Sequence, residues 1–126
     1  MADTVERSVN GIGYRVTGTG QRTIVLLRGL ARWSEHWLGF DESLASKGFR
    51  VITIDNRGFG LSAGIPLKKI SVSEMAEDVA SVITKEAPGG VHILGVSLGG
   101  MIAISLAAWK PQLVRSLMTV SYTHLR

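Results

Sequence analysis

The chain reads as an α/β protein, built on a mostly parallel sheet with helices on both faces in a three-layer α/β/α arrangement. Three observations carry this expectation. Residues 23–27 form an aliphatic run without polar alternation, strand-like and helical stretches alternate along the chain, and Gly or Pro punctuates most junctions. Parallel neighbours require crossovers and crossovers are usually helical, so strands that alternate with helices favour such a sheet over an antiparallel one.

Composition sets the frame. The 126 residues fit one domain with a real core, and 45% hydrophobic with 19% charged residues is a globular balance, not that of a disordered chain. The absence of cysteine excludes disulfides, thiolate metal sites and cysteine nucleophiles. The formal charge of +4 is spread out, with Lys68 and Lys69 adjacent but no basic stripe, so no nucleic-acid face is expected. Glu86 is the last acidic residue, and the basic balance is therefore expected to reflect a missing acidic portion. The longest nearly apolar run, residues 101–109, is far short of the ~20 residues that cross a bilayer, so no membrane span is expected. The start, MADTVERSVN, carries acids and lacks an apolar leader, which makes a cytoplasmic location the expectation. Dinucleotide, P-loop and zinc-protease motifs are all missing, and no cofactor or metal is expected.

The elements follow in order. Residues 9–16 alternate loosely and lead into Gly18-Thr19-Gly20, which predicts an N-terminal strand and a hairpin turn. Residues 23–27 (TIVLL) lack alternation, as expected of a strand covered on both faces, and end at Arg28-Gly29. Ser34 caps a predicted helix that runs to Lys47, with Glu35 in its first turn, Trp37, Phe40 and Leu44 at helical spacing, and Gly48 as its stop. Residues 49–54 (FRVITI) form the next strand, and the glycine-rich residues 56–64 with Pro66 make a long loop. Ser73, Glu74 and Glu77 open a helix over 75–86, striped by Met75, Val79, Val82 and Ile83 and ended by Pro88-Gly89-Gly90. Residues 91–96 are a strand, 98–110 a nearly all-apolar and hence buried helix stopped by Pro111, and 114–120 a further strand. That last strand is expected to leave a sticky sheet edge at Leu117, Met118 and Val120, so the isolated chain should self-associate.

The chemistry concentrates at Gly95-Val96-Ser97-Leu98-Gly99, a G-x-S-x-G set between a buried strand and an apolar helix. A five-residue pattern arises by chance, but this placement has a steric logic. A serine on a sharp strand-to-helix turn leaves no room for side chains two positions before or after it, and Gly95 and Gly99 supply that room. The turn aims the backbone N–H of Leu98 at the place where a tetrahedral oxyanion forms.

Three signatures in this order make the chain resemble the α/β-hydrolase fold family of serine hydrolases, over most of its length. LLRGL (residues 26–30) is similar to that family's His-Gly loop, and the resemblance implies that the Leu30 N–H, beyond Gly29, completes an oxyanion hole with Leu98. Arg28 stands where the family usually has His and reads as a structural charge at a strand end. Residues 55–62 resemble the D-x-R-G-x-G-x-S loop, which implies architectural roles for Asp55, Arg57 and Gly58. Asp55 can accept loop N–H groups, Gly58 and Gly60 permit positive φ, and an acid that precedes the serine falls outside the family's Ser, Asp or Glu, His order. The third signature is the elbow itself. Serine as the nucleophile separates the chain from the dehalogenase and epoxide-hydrolase branches.

A serine needs a base, and the base needs a partner to hold its tautomer. Twenty-nine residues follow Ser97; none is acidic, and His124 is the only histidine among them. His124 sits too soon after the last strand to return over the sheet, while His92 in a strand and His36 near a helix start read as packing or surface residues. The expectation is therefore a truncated core over residues 1–126, without a cap region or C-terminal strands, ending in a truncation or a non-native tail at 121–126. The resemblance implies a hydrolase that acts on small carboxylic esters through a Ser97 acyl-enzyme and is inactive as this piece. A non-catalytic binding or signalling protein on the same fold, or a carbon–carbon-bond hydrolase or haloperoxidase-like member, are the alternatives. Oligomeric state is not legible.

Overall fold

The structure is a computed structural model that describes residues 3–29, 37–69 and 71–120. Six strands form one sheet: β1 (Thr4–Val9), β2 (Ile12–Thr17), β3 (Arg22–Leu27), β4 (Phe49–Ile54), β5 (Val91–Val96) and β6 (Val114–Val120), in the order β1-β2-β4-β3-β5-β6. The four strands from β3 to β6 run parallel, whereas β2 joins β4 antiparallel and β1 closes that edge as a hairpin with β2. The α/β class and the mostly parallel sheet are as the sequence predicts.

Period-two alternation divides the side chains of the central strands between two layers. Val25, Ile52 and Ile93 share one core with α2 (Val72–Glu86) and α3 (Leu98–Trp109). Leu26, Val51 and Val96 share the other with Trp37 and with Leu44 of α1 (Phe40–Ser46). In α2 the stripe of Met75, Val79, Val82 and Ile83 is wholly enclosed, and burial of each such side chain stabilises by roughly 1.5–3 kcal/mol relative to exposure.

Several boundaries differ from expectation for local reasons. The tight hairpin turn lies at Asn10-Gly11 (φ 52° and 82°), not at Gly18–Gly20. An Asn-Gly pair tolerates the two positive φ values that a two-residue hairpin loop requires, so residues 9–16 are split between β1 and β2. Helix α1 begins only at Phe40, because Leu38 and Gly39 (φ 53° and 87°) are both left-handed and interrupt any helix from upstream; the predicted cap Ser34 lies outside the described residues. Helix α2 begins at Val72, and its cap lies two residues before the predicted Ser73, where the Ser71 hydroxyl accepts the Glu74 N–H at 3.3 Å. Helix α3 stops at Trp109 with Lys110 as its cap, and it is buried along one stripe only. Among the described residues nothing covers its other side, where Met101, Ile104 and Trp109 are exposed.

A polar cluster ties the hairpin edge to the end of α2. Glu86, with a side chain only 4% exposed, accepts from Arg7 of β1 at 2.8 and 3.0 Å, and also from Tyr14 of β2 and Arg50 of β4. Burial by itself raises a carboxyl's pKa, but the hydrogen bonds from Tyr14, Arg7 and Arg50 outweigh it and hold Glu86 below its ordinary value. Burial, and then the bond to this carboxylate, push the Tyr14 phenol upward.

At the other edge, β6 pairs only with β5 among the described residues, and Met118 is 64% exposed. Unpaired strand groups beside Leu117, Met118 and Val120 are a template for another strand. The isolated chain is expected to grow in mean mass with concentration in sedimentation experiments, and Met118→Lys is expected to reduce that growth. A monodisperse monomer with cooperative melting would contradict this.

Candidate active site

Strand β5 delivers Ser97 to the C-terminal edge of the sheet, the edge where open parallel sheets ordinarily bind ligands. Ser97 has φ 57° and ψ −119°, a conformation that costs a non-glycine residue on the order of 1–3 kcal/mol. The surrounding backbone holds it there. Its N–H donates to the Val120 carbonyl of β6 at 2.7 Å, and its carbonyl accepts the first bonds of α3 from the N–H groups of Gly100 (2.9 Å) and Met101 (3.3 Å).

The glycines around the turn are packed against backbone. A Cβ on Gly95 would lie 2.4 Å from the Gly99 carbonyl oxygen, and one on Gly99 would lie 2.3 Å from that of Leu27 and 2.9 Å from that of Arg28. Gly29 closes the approach from β3, its would-be Cβ 3.4 Å from the Ser97 Cβ and 3.7 Å from its hydroxyl oxygen. The close approach expected of Gly95 and Gly99 is therefore present, and Gly29 adds a wall. Leu98 is the first residue of α3, where N–H groups lack intrahelical partners. Leu30 lies outside the described residues, as do His36 and His124.

The Ser97 side chain makes no capping bond to α3 and is exposed. His92 is engaged elsewhere, its Nδ1 at 2.6 Å from the Ser116 hydroxyl. Among the described residues no cluster of His, Asp or Glu is placed to hold a metal, and no helix is long and apolar enough to cross a membrane.

The loop after β4 buttresses this edge. Asp55 is fully buried; its Oδ2 accepts the Leu61 N–H at 2.8 Å, and its carbonyl accepts the Ser62 hydroxyl at 2.7 Å. The Ser62 oxygen in turn accepts the Gly13 N–H at 2.8 Å, which fastens the loop to β2. Gly58 takes φ 86° and donates to the Ser62 carbonyl at 2.9 Å. Arg57 forms a two-pronged pair with Asp78 of α2, both contacts at 2.8 Å, which raises its pKa chiefly through that hydrogen bond. Asn56 donates its side-chain amide to the Arg28 carbonyl at 3.3 Å and so links the loop to the end of β3. Ser62 and Asp78 were missed as supporting residues: Ser62 stood in the loop motif without an assigned role, and Asp78 lies 21 positions from Arg57 with no local signal.

Fold and edge together define a hydrolase-type α/β scaffold, and the comparisons with known proteins agree. A family profile described as alpha/beta hydrolase fold matches residues 22–125, and the chain belongs to that family. It is 40% identical over 108 residues to the pimeloyl-[acyl-carrier protein] methyl ester esterase of Sodalis glossinidius, a match that covers 86% of this chain and 39% of that protein. Among solved structures, Est816, described as an N-acyl homoserine lactone degrading enzyme, superposes with a TM-score of 0.80 at 30% identity over 94% of this chain and 46% of its own. A marine microorganism esterase gives 0.77 at 28% identity, over 86% and 40%. The chain thus spans less than half the length of each of these relatives.

Proposed function

We propose that this chain carries the nucleophile of a serine hydrolase acting on small carboxylic esters, with Gly95–Gly99 as its nucleophile elbow. In this reading the Ser97 oxygen attacks the ester carbonyl, and the N–H groups of Leu98 and Leu30 receive the developing oxyanion. The alcohol then leaves, and water releases the acyl group. Gly95 and Gly99 give the turn its clearance and Gly29 lies beside the Ser97 side chain, while Asp55, Arg57 and Gly58 support the neighbouring loop. The observation that carries the reading is the Ser97 backbone itself, held at φ 57° between a buried strand and a helix by glycines that admit no side chain. Such strain at an exposed hydroxyl has no packing benefit, and it recurs where a reactive group is presented to a substrate. The esterase named among the relatives supports the substrate class.

Activation needs a proton acceptor, and no described residue bonds the Ser97 hydroxyl. The 126-residue chain alone is therefore expected to turn over negligible p-nitrophenyl ester, whereas the longest reading frame that carries it should hydrolyse the ester and react with a fluorophosphonate at Ser97. Ser97→Ala should then lower kcat/KM on the order of 10³-fold or more. Hydrolysis that survives Ser97→Ala, or fluorophosphonate modification at another residue, would overturn the assignment.

A further inference from the structure

Arg7 and Arg50 share Glu86, Arg15 meets Glu6, and Arg57 grips Asp78. Among the described residues, Arg28 shares with Arg22 and Arg115 the lack of a carboxylate partner, and differs from Arg22, which sits over Phe49, in that its Nε is enclosed without an acceptor and its backbone borders Ser97. Its backbone is part of the wall around Ser97, since its carbonyl lies 2.9 Å from a would-be Gly99 Cβ and the next residue, Gly29, faces the Ser97 side chain. Its guanidinium is seated on an aromatic surface, 4.9 Å from the centre of the Trp37 ring, and Trp37 is itself 7% exposed and stacked on Phe40. Two N–H donors of this stacked pair, Arg28 Nε and Trp37 Nε1, are enclosed without an acceptor. A buried donor left unpaired is costly, and the two terminal nitrogens of the guanidinium, which are not among the enclosed unpaired atoms, match the geometry of a carboxylate.

From this arrangement we propose that Arg28, braced by Trp37, selects substrates whose ester-bearing chain ends in a carboxylate. The inference rests on Ser97 being the nucleophile, because only then does the Arg28 wall border the reacting carbonyl. The contact with the Trp37 ring restrains the guanidinium in advance, so less side-chain freedom is lost when the anion docks. A purely structural charge at a strand end predicts no dependence on the charge of the substrate.

The test uses the longest reading frame that carries the chain and two alkyl fluorophosphonates of equal length, one ending in a carboxylate and one in its methyl ester. With each, the Ser97 oxygen bonds phosphorus and fluoride leaves. The carboxylate probe is expected to modify Ser97 about tenfold faster or more, the scale of a hydrogen bond to a charged group. Arg28→Gln should bring the ratio of the two rates close to one, and Arg28→Lys, which keeps the charge without the fork, should leave an intermediate ratio. Equal rates in the parent protein, or an unchanged ratio in Arg28→Gln, would overturn the role of Arg28 while the serine reading stands. If neither probe reacts at Ser97, both readings fall together.

Discussion

Replacing Gly99 with alanine is expected to destabilise the fold by about 3 kcal/mol or more, even though alanine is the better helix former. The two effects oppose each other. Helix propensity favours the substitution by about 1 kcal/mol at a helical position. Against it stands a methyl group 2.3 Å from the Leu27 carbonyl oxygen and 2.7 Å from its carbon, in a region where strand and helix backbones meet with no flexible side chain to yield. Relief requires α3 to lift away from β3, which opens the core around Ile102, Ala103 and Leu106. Gly64 is the internal control, since a Cβ there meets nothing within 4 Å, and Gly64→Ala should stay within about 0.5 kcal/mol of the parent. Urea midpoints by circular dichroism decide the matter. A Gly99→Ala protein as stable as the Gly64→Ala protein would mean that the turn is looser than described.

The second large effect is expected at Glu86. Glu86→Ala leaves the Arg7 and Arg50 guanidiniums and the Tyr14 hydroxyl without their shared acceptor. Breaking a buried pair costs about 3–5 kcal/mol, but the Arg7 and Arg50 side chains are 43% and 20% exposed and recover part of that from water. A loss of about 2–3 kcal/mol is expected, and a smaller one for Glu86→Gln, which keeps an acceptor. The cluster also sets a pH window. Because folding lowers the Glu86 pKa, its contribution is complete above the ordinary 4.5 and disappears as pH falls through the folded value. Because folding raises the Tyr14 pKa, its contribution is present below 10.0 and declines as pH rises beyond that. Urea midpoints across this range should fall on both sides, with a flatter acid limb in Glu86→Gln. An acid limb identical to the parent's would show that other carboxylates govern it.

Much of this molecule was readable one residue at a time. The alternation of strand-like and helical stretches, with Gly and Pro at their junctions, marked β4, β5 and β6 at their observed limits. The Gly-x-Ser-x-Gly spacing foretold the cramped turn because its cause is steric and local. The Asn10-Gly11 hairpin is legible by the same logic, whereas the glycine pair at Gly18 and Gly20 competes with it as a turn signal in the sequence. Ser71 was passed over as a helix cap because Ser73 stands nearer the apolar stripe.

Other features arise from residues far apart in the chain, and no local pattern encodes them. The placing of β4 between β2 and β3 follows from burying alternate side chains of several strands at once. The Glu86 cluster draws Arg7, Tyr14 and Arg50 from three strands onto one helix end, up to 79 positions away. The seat of Arg28 on Trp37 turned a residue that read as an ordinary strand-end charge into a candidate for recognition. Local sterics and periodicity thus specified which residues bend, extend or coil. Which charges and rings meet depended on the packing of whole layers, because free energies of burial and pairing act only once distant segments share the same space.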